Sequence, residues 1–555
     1  MKIILAFLVI FTIGAQEHTV TQYQKQLATD PFNTTILSKL ANAYLEDGQL
    51  AEATYCYQKL MGKNPYDQSA LYNLGWIHTK NNHLAQAVDY FTKLITINPN
   101  HIKAYLERAK LFEQQKKFDS AIKDYRQITD LDPYCISAYQ RLALVLKNNE
   151  AYQEAIETYK RLIALNPAQA WARFQLSIIY IMVGESEAAV KELEKILEED
   201  PNNYRIMHNI AYSLKVAGRV DEAINMYKQA IELNPQYEAS VYALALAYLY
   251  KGDFAQGWKQ YSWRLKKEKR NAEQLRKWIK ENKVQNKKIF LMPEGGLGDT
   301  IQFIRYAELL KQMGADLTVM VPKPLKPLLS SCPYIDNLIV LGEPFDRNWQ
   351  DRASIMSLPA IFESEEENIP RNIPYIYPDK ALVEKWRSYF EGENNFKIGL
   401  CWEADVKNDA SRVPAARRSI PLIKLEKLTN LKNVTFYSLQ KSNGTSELAD
   451  LPEHFVVNRF GPDFDETAGP FMDTAAIINH LDLIITVDTS IAHLAGALGK
   501  PVWVMLPHNT DWRWIVNRTD SPWYPTMKIF KQSIPFDWDT IIADIFEVLK
   551  TQLGQ

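Results

Sequence analysis

Small and large side chains return along the first half of the chain every 34 residues. One register holds Ala41, Gly75, Ala109, Ala143, Ser177, Ala211 and Ala245. A second, twelve residues on, holds Ala53, Ala87, Ala121, Ala155, Ala189 and Ala223, then Gly257. Four residues beyond it stand Tyr57, Phe91, Tyr125, Tyr159, Leu193, Tyr227 and Tyr261. Two helices can cross closely only where their side chains are small, and a large residue one turn away fills the space between neighbouring pairs. Each period therefore predicts two antiparallel helices. Gly48, Gly184, Gly218 and Gly252 mark the turn inside a pair. Prolines 31, 65, 99, 133, 167, 201 and 235, each after Asn or Asp, end the second helix, because a residue before proline is pushed out of the α region.

From about Lys287 the pattern changes to short apolar runs alternating with helical periods. Strands are predicted at 288–292, 317–321, 337–341, 397–402, 434–439, 483–487 and 501–506. Helical periods run over 301–313, 473–481 and 490–498, and a last amphipathic helix over 537–549. Such alternation predicts parallel sheets with helices on both faces. Two series of this kind imply two Rossmann-like lobes, with ligands at the carboxyl ends of the strands.

The net charge of -2 argues against nucleic acid as a partner. The basic cluster Lys266, Lys267, Lys269, Arg270 reads as a solvated helix face. Cys56, Cys135, Cys332 and Cys401 have no paired spacing, which gives neither a zinc site nor a disulfide framework. The start of the chain points elsewhere. Lys2, an apolar run over 3–13 and Gly14-Ala15-Gln16 have the layout of an export signal; a buried first helix is the other reading. No other segment has the length and character of a membrane span.

Two turns carry the candidate chemistry. Gly295-Gly296-Leu297-Gly298-Asp299 leads from a strand into a helix, where glycines let a ligand approach the backbone and the helix start favours an anion. Asp299 could equally be an ordinary cap. Asp488-Thr489-Ser490-Ile491-Ala492-His493 also leads from strand to helix, with hydroxyls and amides suited to a diphosphate. His493 could donate a proton or a positive charge, or pack inside with Asp488 as the cap.

The repeats resemble the tetratricopeptide repeat over residues 31–268. Such solenoids usually bind a protein or peptide on their concave face; a mere spacer is the alternative. The two turns together, with Ala495-Gly496-Ala497-Leu498-Gly499-Lys500-Pro501, resemble the heptosyltransferase-like glycosyltransferases of family 9. That resemblance implies a GT-B fold over 287–550, no metal or other cofactor, and inverting transfer from a nucleotide diphosphate sugar. It implies Asp299 as general base, Gly296, Gly298 and Gln302 as substrate- or donor-binding residues beside it, and donor phosphates at Asp488, Thr489, Ser490 and His493. It further suggests that Ser438 and Gln440 lie near the nucleotide, and that a basic loop with Lys407 and Arg418 closes on phosphate. The aromatic stretches Asp511-Trp512-Arg513-Trp514 and Ser521-Pro522-Trp523-Tyr524-Pro525 either shape the cleft or pack a core. The helix start is expected to lower the pKa of Asp299.

The architecture is also similar to O-linked N-acetylglucosamine transferases, which line their repeats with an asparagine ladder. Of the matching positions here, only Asn73 and Asn209 keep the asparagine.

The expected organisation is a signal or anchor over 1–16, a leading helix over 17–30, seven repeats over 31–268 and a linker over 269–286. An acceptor-side lobe over 287–378, a second linker over 379–394 and a nucleotide-sugar lobe over 395–555 complete it. The function implied is sugar transfer to an acceptor recruited by the repeats, with the catalytic domain in the cytoplasm. Membrane attachment or export through the N-terminus stays open. The competing readings are an interaction scaffold with a ligand-binding or degenerate domain, and a nucleotide-sugar epimerase.

Overall fold

The computed structural model describes residues 19–264, 269–345, 348–405, 418–441 and 444–555. The signal-like segment 1–16, Lys266, Lys267 and Lys407 lie outside the described residues. A helix over 19–29 comes first. Seven helix pairs follow, from Thr34–Glu46 with Leu50–Lys63 to Glu238–Lys251 with the shorter Phe254–Tyr261.

The registers behave as the packing argument requires. Ala53, Ala87, Ala121 and Ala155 are fully buried, as are Tyr57, Phe91, Tyr125 and Tyr159. A Cβ on Gly75 would lie 2.8 Å from the ring of Phe91. Asn64, Asn98 and Asp132 end their helices in extended or near-extended backbone ahead of proline. The turn inside each pair needs one residue of positive φ. Gly48, Gly184, Gly218 and Gly252 supply it in four repeats, and Asn82, Lys116 and Glu150 adopt it in the other three.

The chain divides into two compact units, one up to Ile196 and the other from Leu197 onward. The division falls inside the helix Ser186–Glu199, so the second unit contains the last two repeats together with all the strands. In the first unit Arg108 pairs in a bidentate manner with buried Asp124, at 2.8 and 2.6 Å. Asn73 donates to the Tyr57 hydroxyl at 2.8 Å, which in turn donates to Asn42 at 2.5 Å. In the second unit Asn209 donates back to the Arg205 carbonyl of its own helix at 2.6 Å.

The second unit holds two wholly parallel sheets. One contains β1 (Lys288–Met292), β2 (Asp316–Val321), β3 (Asn337–Val340) and β4 (Asp351–Ser354) in the order β3-β2-β1-β4. The other contains β5 (Phe396–Cys401), β6 (Val434–Ser438), β7 (Val457–Asn458), β8 (Leu483–Val487), β9 (Val502–Leu506) and β10 (Met527–Lys531). Its order is β10-β9-β8-β5-β6-β7. Both reverse direction beside their first strand, the arrangement that opens a crevice at the carboxyl ends of doubly wound sheets.

Several expectations need correction. The linker over 269–286 contains the helix Lys269–Lys280, and that over 379–394 the helix Lys380–Arg387. The helical period at 301–313 starts earlier, as Leu297–Phe303 followed by Arg305–Gln312. β4, β7 and β10 lie outside the strands that the pattern predicts, being short, polar or close after a proline.

The aromatic residues of the last repeat pack on the α/β region. Trp258 donates to the Ser364 carbonyl at 2.7 Å and meets Trp512 edge-on at 5.6 Å between ring centroids. Phe254 meets Trp523 in the same way at 6.0 Å. Trp512, Trp514, Trp523 and Tyr524 are buried, so the rings of both aromatic stretches pack inside. Buried Arg305 ties the sheets' connections together, donating to the Pro370 carbonyl at 3.1 Å and to Tyr375 at 2.8 Å.

Candidate functional site

β1 ends at Met292, and the chain turns through Gly295 (φ +74) into the helix Leu297–Phe303. A side chain on Gly295 would collide with the carboxylate of Asp299, its Cβ falling 2.1 Å from Oδ2. Gly296 is the N-cap of this helix and Asp299 its third residue, whose side chain reaches back to cap the Gly296 amide. Its Oδ2 accepts from the Gly296 amide at 2.6 Å, while Oδ1 accepts from Arg513 Nη2. The side chain is 22% exposed and that of Arg513 is 9% exposed.

Arg513 gathers the site. Its Nε donates to Gln302 Oε1 at 2.8 Å and its Nη1 to Asp511 Oδ1 at 2.6 Å. Its guanidinium lies over the rings of Trp512 and Phe303, at 4.8 and 5.4 Å. Arg513 and Asp511 come from the loop after β9, which the sequence presented only as an aromatic stretch. The arginine between two tryptophans was the available cue, since a cation there must find a carboxylate when buried.

Burial raises the Asp299 carboxyl above its ordinary pKa, against the pull of Arg513 and the Gly296 amide. This reverses the expectation drawn from the helix start: desolvation of the carboxylate outweighs the favourable partners. Burial also acts on Asp511, but there Arg513 wins and holds the carboxyl low.

The second turn stands on the other sheet. Thr489 caps the helix Ser490–Ala497, its hydroxyl accepting from the Ile491 amide at 3.3 Å. Arg418 donates to the Asp488 carbonyl at 2.5 Å, so the end of the basic loop does reach this turn. Burial pushes the Asp488 carboxyl up to about 6, against Arg418. Ser490 begins the helix and is part-exposed.

His493 is buried against the helix that carries Asp299. A Cβ on Gly298 would fall 2.7 Å from its ring. Its Nδ1 shares a 3.0 Å hydrogen bond with the Tyr524 hydroxyl, and the ring stacks on Trp514 at 5.6 Å. Burial, with Arg513 and Arg305 nearby, brings its pKa down to about 3. This favours the neutral imidazole over the positive charge considered from the sequence. Arg418 and Arg513 supply the positive charge of this region.

Ser438 ends β6 and Gln440 follows it, both buried. Gln440 Oε1 accepts from the amides of Trp402 and Glu403 at 3.1 and 3.0 Å, and its Nε2 donates to the Glu403 carbonyl at 3.0 Å. It thereby fixes the chain leaving β5, at the point where this sheet reverses direction. Gln302 Nε2 is buried without a partner. On the opposite flank Glu294 receives Arg264 at 2.7 and 2.9 Å. Asp299, Gly296, Gly298, Gln302 and His493 thus meet at one place, with Asp488, Thr489, Ser490 and Arg418 on the adjoining turn. Among the described residues no group of three or more His, Cys, Asp or Glu is placed to hold a metal ion, and no described helix is long and apolar enough to cross a membrane.

The comparisons with known proteins divide along the chain. Models of the tetratricopeptide repeat match residues 68–101, 102–135 and 148–210, and one described as TPR repeat matches 217–252. The chain carries tetratricopeptide repeats. Protein FlbA of Caulobacter vibrioides is 24% identical over 394 residues, covering 66% of this chain and 65% of that protein. That alignment is too long for the repeats alone and enters the α/β region. Among solved structures, the MamA protein is 24% identical, covering 30% of this chain and 92% of its own, with a TM-score of 0.29. YrrB, described as a TPR protein with an unusual peptide-binding site, is 19% identical over 34% of this chain and 96% of its own, with a TM-score of 0.30. A tetratricopeptide repeat protein from Parabacteroides merdae is 19% identical over 44% and 97%, with a TM-score of 0.29.

Proposed function

We propose that the chain is an inverting glycosyltransferase of GT-B type, which moves a sugar from a nucleotide diphosphate donor to an acceptor recruited by its repeats. The observation that carries this reading is the meeting of two strand-to-helix turns from two parallel sheets, one bearing Asp299 and the other Asp488, Thr489 and Ser490. The diphosphate would lie at the start of the helix Ser490–Ala497, where free amides and the helix dipole favour negative charge. Arg418, which donates to the Asp488 carbonyl, brings a cation to that turn.

In the reaction Asp299 takes the proton of the acceptor hydroxyl as its oxygen attacks the anomeric carbon. The bond from that carbon to the diphosphate oxygen breaks, and the nucleoside diphosphate leaves with the electron pair. A carboxyl with a raised pKa is a better proton acceptor than an ordinary one. The likeness to FlbA supports only that the repeats and the α/β region occur together in another protein.

One observation favours the scaffold reading. Both oxygens of Asp299 are engaged, one by Gly296 and one by Arg513, as they would be in a purely structural role. Incubation of the full chain with uridine, guanosine, adenosine and thymidine diphosphate sugars decides between them. Release of a nucleoside diphosphate that Asp299→Asn abolishes supports the transferase; no release from any donor supports the scaffold.

A further inference from the structure

The segment that carries Arg513 is gripped at both ends by the last two repeats. At its start, Tyr212 receives the Asn509 side-chain amide at 3.3 Å. Lys215 donates to Asn509 Oδ1 at 3.2 Å and to the Thr510 carbonyl at 3.3 Å. At its end, the Val516 amide donates to the Tyr250 carbonyl at 2.8 Å. Tyr250 is itself fixed, its hydroxyl accepting from Lys531 at 2.6 Å with Lys215 over its ring at 4.7 Å. Between these anchors Trp512 packs on Trp258 and Tyr261.

The backbone inside the grip is strained. Ile515 is β-branched and has φ +43, a conformation that such a residue rarely adopts and that persists only where the surroundings impose it. It directly follows Arg513-Trp514, and Arg513 donates to Gln302 and Asp299.

We propose that the sixth and seventh repeats are a strut of the catalytic site: through Lys215 and Tyr250 they position Arg513, and through it Asp299. This rests on the reading of Asp299 given above. Lys215 and Tyr250 touch none of the proposed reacting atoms, so they are positioning residues. The inference assigns these two repeats a part in the chemistry that is separate from recruiting an acceptor.

The test is a double-mutant cycle on the full chain, with Lys215→Met, Asp299→Asn and the double variant, read by urea unfolding. Residues that share no partner normally add independently. The strut predicts a departure from additivity of tenfold or more in the unfolding equilibrium constant. Lys215→Arg, which keeps donors for Asn509 and Thr510, is the control expected to behave as wild type; Lys215→Gln, which is shorter and uncharged, serves in the cycle if Lys215→Met does not fold. The second readout is hydrolysis of whichever of the four diphosphate sugars the wild-type chain turns over. There Lys215→Met should lower kcat about tenfold with KM unchanged. Additive unfolding, or a normal kcat, overturns the strut. If Asp299→Asn remains active while the cycle is non-additive, the base assignment fails and the strut stands; if Asp299→Asn is inactive while the cycle is additive, the reverse holds.

Discussion

Gly298 and His493 are in contact across the two sheets of the second unit, so closely that a single methyl group on the glycine would fall 2.7 Å from the imidazole. The helices Leu297–Phe303 and Ser490–Ala497, which lead from the two candidate turns, therefore touch where one of them has no side chain. Gly298→Ala should destabilise the protein by about 1–3 kcal/mol, as overpacking of a filled interior does. Gly298→Ala combined with His493→Ala should be less harmful than the sum of the two, because the second change removes the obstacle. Urea unfolding of the four variants measures this, and strict additivity would contradict the contact.

Asp299→Asn should keep the bond from the Gly296 amide, since an asparagine oxygen accepts as a carboxylate does. It cannot take a proton from an acceptor hydroxyl. The expected result is a folded protein with unchanged donor affinity and transfer lowered by about 10²-fold or more. Near-normal turnover would leave Asp299 as a structural partner of Arg513.

Asp488 gives a prediction in pH. Its folded pKa, about 6, stands above the ordinary aspartate value. The folded state then binds the proton more tightly than the unfolded one, so this group's contribution is fully present below the unfolded pKa and is lost as pH rises through 6. The loss is on the order of 2 kcal/mol, given the part-exposed position. Asp488→Asn should raise the melting temperature at pH 7.5 and make no difference below about pH 4. A variant that is less stable than wild type at pH 7.5 would show that the carboxylate is needed where it stands.

His493 acts in the opposite sense. Its pKa is depressed to about 3, so its contribution is present above the unfolded value near 6.5 and is lost as pH falls. His493→Gln, which cannot charge, should reduce the acid sensitivity of the protein between about pH 6.5 and pH 3.5. If nucleotide diphosphate binding measured by calorimetry falls while that pH dependence is unchanged, His493 faces ligand rather than core.

Cutting the chain at two places tests the grouping of the repeats. A fragment of residues 19–196 should be a soluble helical protein, since repeats depend mainly on their neighbours. A fragment of residues 19–268 should aggregate, because it exposes Phe254, Trp258 and Tyr261, which are buried against the α/β region in the whole chain. A monomeric 19–268 fragment by light scattering would contradict this.

The repeats were legible because a fixed period repeats one packing problem, and seven solutions in register reveal it. Even Asn82, Lys116 and Glu150 could have been assigned to the left-handed turn, since they fall on the register of Gly48 and Gly184. Strands β8 and β9, and Ile289-Phe290-Leu291 of β1, were legible because they are largely apolar runs, buried on both faces. β4 was not, because Asp351-Arg352-Ala353-Ser354 has no apolar pattern and owes its state to pairing with β1. The turn bearing Asp299 could be found from its glycines, but not its partner: Arg513 lies 214 residues away, and no local pattern joins the two. Whether His493 is charged was equally out of reach, because burial is decided by the elements packed upon it.

The boundary between the compact units falls at Ile196 and Leu197, not where the repeats stop. A lineage that exchanges binding specificity by shuffling repeats would find the first five free to vary, while the last two are tied to the sheets. Duplication or loss of a 34-residue block upstream of that boundary leaves every sheet contact of the second unit in place. Within the last two repeats, Lys215, Tyr250 and Trp258 would have to be kept, and a swap there would need matching changes in the 508–516 loop.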